Sequence, residues 1–173
     1  MKRMAVEMAA LVLAAACDDN NSPTTPSNTG PVVFTSQLST ANEVPAVTNA
    51  ESAGRGTATI TFNVPRDSAG AITGGGNVTF AVQLTGFPAG TVARAAHIHP
   101  GAAGVNGSPL VDTGLTPAAP ILLNDGTGTL SLTTTISQTD AAAITASPAN
   151  YYFNVHTVVN PGGAVRGQLT RTP

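Results

Sequence analysis

The sequence is poor in cysteine, lysine and charge. It has one cysteine, one lysine and no tryptophan among 173 residues, and 9% of its residues are charged. With a single cysteine no intramolecular disulfide can form, so packing alone must stabilise the fold. With a formal net charge of −2 there is no excess of cationic side chains to neutralise a phosphate backbone. We therefore expect no nucleic-acid partner.

Threonine, serine, asparagine, glycine and proline take the place of charged residues. This composition is typical of β-rich extracellular domains, whereas disordered chains usually contain fewer β-branched residues. The length suits one ordinary domain plus a short extra segment, and such a domain can bury a core without covalent crosslinks.

The first seventeen residues differ in composition from the rest, since they contain every methionine, the lysine and the cysteine. Lys2 and Arg3 precede the apolar run 8–16, which is too short to span a bilayer but suits a signal peptide. Residues 1–17 end in an alanine-rich stretch that resembles a bacterial lipobox. The resemblance implies cleavage before Cys17 and lipidation of its thiol, with membrane anchoring as the consequence. The alternative is an ordinary secretory signal that leaves Cys17 unmodified.

Two changes of pattern follow the signal segment. Residues 18–31 are polar and proline-containing without hydrophobic periodicity, which predicts a flexible tether. From Val32 onward apolar residues alternate with polar ones, as in Ile60, Phe62 and Val64, which is typical of half-buried strands. Further strands are predicted at Val32–Leu38, 78–84, Val92–His99, Leu110–Leu115, Gly128–Thr133, Tyr151–His156 and Ala164–Thr170.

One short helix is predicted in this β-rich region. Ser137 or Thr139 can cap an alanine-rich stretch that runs to Ala146, and Pro148 then prevents its continuation. The predicted fold of residues 32–173 is thus all-β, an antiparallel Greek-key β-sandwich or barrel of about eight strands with one short helix.

All three histidines lie on predicted strands. His97 and His99 are two residues apart and share a face, while Ile98 points to the opposite face. His156 is related to Val155 in the same way. If Ile98 and Val155 face the core, all three imidazoles lie on the outer surface of the sheet.

Three imidazoles on adjoining strands would form a nitrogen-rich site suited to Cu(II) or, less well, Zn(II). The sequence offers no clear fourth ligand. The alternative is that His97, His99 and His156 only form hydrogen bonds with the glycine-rich segment 101–107 that follows the first two. Both interpretations stay open at this point.

Three ordered segments resemble the signature stretches of CHRD domains, a domain type that also occurs in chordin. These segments are 38–45, 97–107 and 154–169, and the likeness extends through residues 32–171. The resemblance implies an extracellular β-domain whose molecular activity is largely uncharacterised.

Two charged residues belong to these segments. Glu43 and Arg166 are expected to pair across strands as a structural ion pair, since the domain has few other charges. One departure from the family pattern is Ala164, where an acidic residue is common.

The histidine pattern also resembles that of Cu/Zn superoxide dismutases, in which a His-x-His strand pair and a distant histidine help to bind copper. His97, His99 and His156 would take these three roles. The remaining dismutase histidines and the disulfide have no counterpart in this sequence, so the resemblance extends at most to a mononuclear copper site.

The leading hypothesis is an exported lipoprotein, lipid-anchored to the cell membrane and facing the periplasm or the exterior. It would act as a non-catalytic binding or adhesion module for an envelope protein or polysaccharide, with copper as its candidate cofactor. No catalytic residue is assigned. The alternatives are a copper-dependent oxidoreductase and a structural envelope protein without a ligand.

Overall fold

The computed structural model describes residues 30–173. The predicted signal peptide at 1–17, Cys17 and residues 18–29 of the predicted tether lie outside the described residues. The strands are β1 Val32–Ser39, β2 Arg55–Asn63, β3 Gly76–Thr85, β4 Thr91–Pro100, β5 Val111–Asp112, β6 Ile121–Leu123, β7 Gly128–Ile136, β8 Tyr151–Thr157, β9 Val165–Gln168 and β10 Thr170–Arg171. The helix α1 spans Gln138–Ala146. Among these residues no helix is long and apolar enough to cross a membrane.

All described strands belong to one antiparallel sheet. Its strand order is β5-β4-β8-β9-β1-β2-β3-β7, while β10 pairs with β1 and β6 pairs with β4. Strand β6 also packs beside β7, the strand at the other end of this order, so the sheet curls until it is nearly closed like a barrel. The predicted all-β antiparallel fold with one helix is confirmed, and of the two predicted architectures the barrel-like one is observed.

The interior of the barrel is filled by the apolar residues of the alternating strands. Phe34 and Phe62 on neighbouring strands meet edge to face, with ring centroids 5.0 Å apart. Phe80 stacks on Phe153 from across the interior at 5.6 Å. Because successive strand residues point to opposite faces, the period-two pattern of the sequence translates directly into this core. Each such phenylalanine contributes roughly 2 to 3 kcal/mol by leaving water.

The helix follows the sequence signals. Ser137 caps α1, because its hydroxyl oxygen accepts a hydrogen bond from the amide of Asp140 at 3.0 Å, and the helix ends two residues before Pro148. Strand β6 was not predicted, since Ile121–Leu123 is too short to show alternation. Its pairing with β4 is a long-range contact that local sequence does not encode.

Candidate metal centre

Neighbouring strands β4 and β8 bring the three histidines together. In this antiparallel pair His99 lies opposite Tyr152, and His156 lies opposite Ala95. One ring nitrogen from each histidine can be chosen so that all three nitrogens lie within 4.8 Å of one another. Residues 59 positions apart in the sequence thus form one cluster.

The cluster lies on the outer face of the sheet, as expected, because Ile98 and Val155 face the core and the histidines point to the opposite face. This face is nevertheless shielded from water. His99 is 4% exposed and His156 is 8% exposed, because loops cover this face. His97 is the most exposed of the three, with 14% of its side chain exposed.

The covering loops are tied to each other and to the sheet. Arg166 on β9 donates from Nη1 to Oδ1 of Asn106 at 2.8 Å, and Asn106 donates from Nδ2 to the carbonyl of Val44 at 2.8 Å. These bonds join the loop after β1 to the loop after β4. Loop backbone therefore covers the outer face of β4 and β8, which the alternating pattern alone would leave open to solvent.

Backbone carbonyls determine which nitrogens of two histidines are free. His99 Nδ1 lies 2.9 Å from the carbonyl oxygen of Gly107, and His156 Nδ1 lies 3.1 Å from that of Pro161. A carbonyl only accepts, so in both rings Nδ1 carries the proton and donates it. The Nε2 atoms of His99 and His156 are consequently lone-pair nitrogens.

His97 completes the set. Its Nδ1 lies 3.2 Å from Nε2 of His156, and its Nε2 lies 3.8 Å from Oδ2 of Asp112. A neutral His97 can carry its proton on Nδ1 and donate it to Nε2 of His156. With the proton on Nε2, where the Asp112 carboxylate attracts it, Nδ1 becomes a third lone-pair nitrogen. Imidazoles whose second nitrogen faces a carbonyl or carboxylate are the usual arrangement around a bound metal.

The distances suit a small metal ion. Metal–nitrogen bonds of about 2.1 Å in tetrahedral geometry place the nitrogens about 3.4 Å apart. The pair formed by His97 and His156 already meets this separation at 3.2 Å. Nε2 of His99 is buried and has no hydrogen-bond partner, which is costly unless something binds it. The residues present therefore fit a three-nitrogen metal centre.

Electrostatics keep these imidazoles neutral. Burial lowers the pKa of His97, His99 and His156 below the ordinary 6.5, and for His156 the pKa falls to about 4. Asp112 raises the pKa of His97, but less than burial lowers it. At neutral pH all three rings can offer a lone pair without first losing a proton.

A stack of side chains fixes the ring of His99. The ring of Tyr152 lies parallel to it, with an interplanar angle of 6° and a centroid distance of 4.9 Å. The guanidinium carbon of Arg166 lies 4.5 Å from the centroid of Tyr152. These contacts reduce the rotational freedom of His99, which lowers the entropy lost on binding a ligand.

Glu43 and Arg166 are both buried but do not form the expected direct ion pair. Among residues 30–173 the acid–base contact within 4.0 Å is that between His97 and Asp112. The positive charge of Arg166 lowers the pKa of Glu43, but burial has the larger effect and raises it to about 7. Arg166 instead donates to Asn42 and Asn106, so it ties down the covering loops.

The sequence interpretation missed several neighbours of the cluster. Asp112 lies opposite His97 on β5, and no local sequence pattern singles it out. Asn154 lies opposite His97 on the other side, on β8. Asn154 precedes His156 by two residues, and this spacing was the sequence signal that both side chains share one face of β8. Gly107 and Pro161 act through their carbonyl oxygens, which sequence does not reveal.

Comparisons with known proteins give one match. The family model described as CHRD domain matches residues 34–169, a range that includes the three histidines, Glu43 and Arg166. Searches of the curated proteins and of the solved structures gave no match. The histidine cluster and its covering loops therefore lie inside the matched domain.

Proposed function

The chain belongs to the CHRD family, and from this premise we propose that it is a membrane-tethered binding module of the cell envelope whose histidine cluster holds Cu(II). The observation that carries the metal proposal is the convergence of three imidazole nitrogens. One ring nitrogen from each of His97, His99 and His156 lies within 4.8 Å of the other two, and carbonyls orient two of these rings.

Metal binding would offset the free-energy cost of a buried nitrogen that has no hydrogen-bond partner. Nε2 of His99 is buried without a hydrogen-bond partner. The hydrogen bond from His99 to Gly107 fixes this ring beside the other two imidazoles, whose centroids lie 5.4 Å and 5.7 Å from its own. A cation bound there would satisfy all three lone pairs together.

The donor set favours copper over zinc. For a given set of nitrogen ligands the affinity of divalent first-row metals is highest for Cu(II). Three imidazoles and one further ligand also suit Zn(II). Zinc is the second candidate ion at the same nitrogens.

A binding role is supported by the surface beside the cluster. A cavity of about 330 Å³ lies between the segments 43–49 and 159–163, and Pro161 in its wall is the residue whose carbonyl holds His156. Its lining includes the exposed side chains of Val44 and Val159. A cavity with a mixed polar and apolar lining suits an envelope protein or a polysaccharide chain.

Copper loading tests the metal proposal. Purified protein loaded with one equivalent of Cu(II) should give an electron paramagnetic resonance spectrum with hyperfine structure from about three nitrogens. The triple variant His97→Ala, His99→Ala, His156→Ala should lose this signal. Unchanged copper uptake in that folded variant, judged by circular dichroism, would refute the site.

A matched control carries the same number of changes elsewhere. Thr129, Thr133 and Thr135 are exposed on β7, and their triple alanine variant should bind copper as the unaltered protein does. A superoxide-removal assay of the copper-loaded protein distinguishes the roles. Removal no faster than that of the triple histidine variant supports a binding module, whereas faster removal favours the copper-dependent oxidoreductase.

A further inference from the structure

We infer that the side-chain oxygen of Asn154 is the fourth ligand of this metal centre. The inference rests on the proposed copper site and adds an oxygen donor to its three nitrogens. It concerns a residue on β8 that the histidine pattern alone does not mark.

The strand register places Asn154 beside two of the three imidazoles. It pairs directly with His97 on β4, and directly opposed residues of an antiparallel pair have side chains on the same face. It also precedes His156 by two residues on β8, so these two side chains share that face. The side chain of Asn154 is thus a direct neighbour of the side chains of both histidines on this face.

The side chain of Asn154 has an oxygen to offer. The residue is 2% exposed, and its Oδ1 is buried without a hydrogen-bond partner. Its amide nitrogen is engaged, because the Asn154 side chain forms a hydrogen bond with the carboxyl of Glu43. Both atoms lie beside Gly163. An ideal Cβ built on that glycine would be 2.6 Å from Nδ2 of Asn154 and 2.6 Å from Oε2 of Glu43.

Glu43 therefore acts as a positioning residue for Asn154. With Nδ2 directed to the carboxyl, Oδ1 on the same planar amide points away from Glu43. The pairing of Asn154 with His97 on one side and with Arg166 on the other leaves two uses for this oxygen. One is metal ligation beside the unpartnered Nε2 of His99, and the other is acceptance of a bond from the unpartnered Nη2 of Arg166.

The metal is the favoured partner of the two. Oδ1 of Asn154 and Nη2 of Arg166 are each without a hydrogen-bond partner, so Arg166 does not use this oxygen in the structure. Three imidazoles leave a coordination position open, and a buried amide oxygen can fill it without admitting water. The centre would then be a closed three-nitrogen, one-oxygen site.

The decisive variant is Asn154→Leu, which keeps the side-chain size and removes the oxygen. We expect Cu(II) to bind this variant roughly tenfold or more weakly. The paramagnetic resonance parameters g and A should shift while the hyperfine pattern of three nitrogens persists. Asn77→Leu, an exposed change on β3, is the matched control and should alter neither quantity.

A measurement on the unaltered protein keeps the test independent of variant folding. In the copper-loaded protein, electron–nuclear double resonance in D₂O should show no strongly coupled water deuterons, because Asn154 occupies the water position.

Strong water coupling in the unaltered protein, or identical spectra and affinity in Asn154→Leu, would overturn the ligand assignment. In that case the three-nitrogen signal and its loss in the triple histidine variant would still support the proposed copper site. If neither the triple histidine variant nor Asn154→Leu lost copper binding, both proposals would be overturned.

Discussion

Glu43 and His156 are buried titratable residues whose effects on stability run in opposite directions with pH. Burial lowers the pKa of His156 from 6.5 to about 4, so the unfolded chain binds more protons between these values and stability falls as pH drops through them. Burial raises the pKa of Glu43 from 4.5 to about 7, so the folded chain binds more protons there and stability falls as pH rises. Between pH 4.5 and 6.5 the two contributions oppose each other.

Glu43→Gln removes one of these contributions. The variant should be more stable than the unaltered protein at pH 8, by at most about 3 kcal/mol at roughly 1.4 kcal/mol per pH unit. The two should converge near pH 4.5, where Glu43 is protonated in the folded state. Thermal unfolding of metal-free protein in a chelating buffer from pH 4 to 8 measures this.

Glu51→Gln offers a contrast, since that buried carboxyl accepts hydrogen bonds from Thr157 and Asn160. Replacing a carboxyl whose oxygen accepts these two hydrogen bonds should not stabilise the fold at pH 8. A melting temperature of Glu43→Gln that tracks the unaltered protein at every pH would contradict the assigned role of Glu43.

Among the structural elements, the loops decide how the sheet is used. The outer face of β4 and β8 would present three imidazoles to water, but loop 101–107 closes over it and supplies the carbonyl that orients His99. Gly107 has no room for a side chain, because an ideal Cβ there would lie 1.8 Å from the carbonyl oxygen of Pro100. The close approach of these two backbone segments sets the position of His99.

Gly107→Ala should therefore damage the centre selectively. The added methyl group must push the loop away from β4, which moves the carbonyl that holds Nδ1 of His99. We expect copper affinity to fall about tenfold or more, the range seen when outer partners of metal ligands are lost. Isothermal titration with Cu(II) measures the affinity, and circular dichroism checks the sheet.

Gly162→Ala is the matched control in another loop, since an ideal Cβ there meets nothing within 4 Å. It should bind copper as the unaltered protein does. Equal affinities of Gly107→Ala and Gly162→Ala would show that the position of loop 101–107 does not govern the centre.

On the scale of the whole molecule, the sheet separates the start of the domain from the candidate centre. Strand β1 begins at Val32 and runs for 8 residues to Ser39, which pairs with Arg166 beside the cluster. At about 3.3 Å per residue, the step from Val32 to Ser39 is about 23 Å along the strand. If the chain is anchored before Val32, the candidate centre therefore lies near the end of β1 that is farther from the anchor.

The anchor itself is tested by mass. If Cys17 is lipidated, the mature protein from a bacterial host should start at Cys17, carry a diacylglycerol or larger lipid mass, and partition into detergent. Cys17→Ser should abolish the lipid mass and the partition into detergent. An intact mass that corresponds to an unmodified Cys17 would remove the lipid anchor from the proposal.

Much of this fold could be predicted because its signals are local. Alternation in segments such as 60–64 and 78–84 places phenylalanine, valine and isoleucine on one face, and the start of α1 follows from the hydroxyl of Ser137. These patterns act over a few residues, so the sequence alone determined the all-β class, most strand positions and the helix. It also singled out the three histidines as a group.

The tertiary structure alone decided how those histidines are placed. Strand pairing brings His97 next to Asn154 and close to His156, and loops bury a face that alternation assigns to solvent. Loop closure and strand pairing depend on contacts between residues far apart in the chain. The free energy of forming such contacts does not follow from local periodicity. Covering the cluster also raised the pKa of Glu43, replaced its expected ion pair and left Oδ1 of Asn154 without a partner.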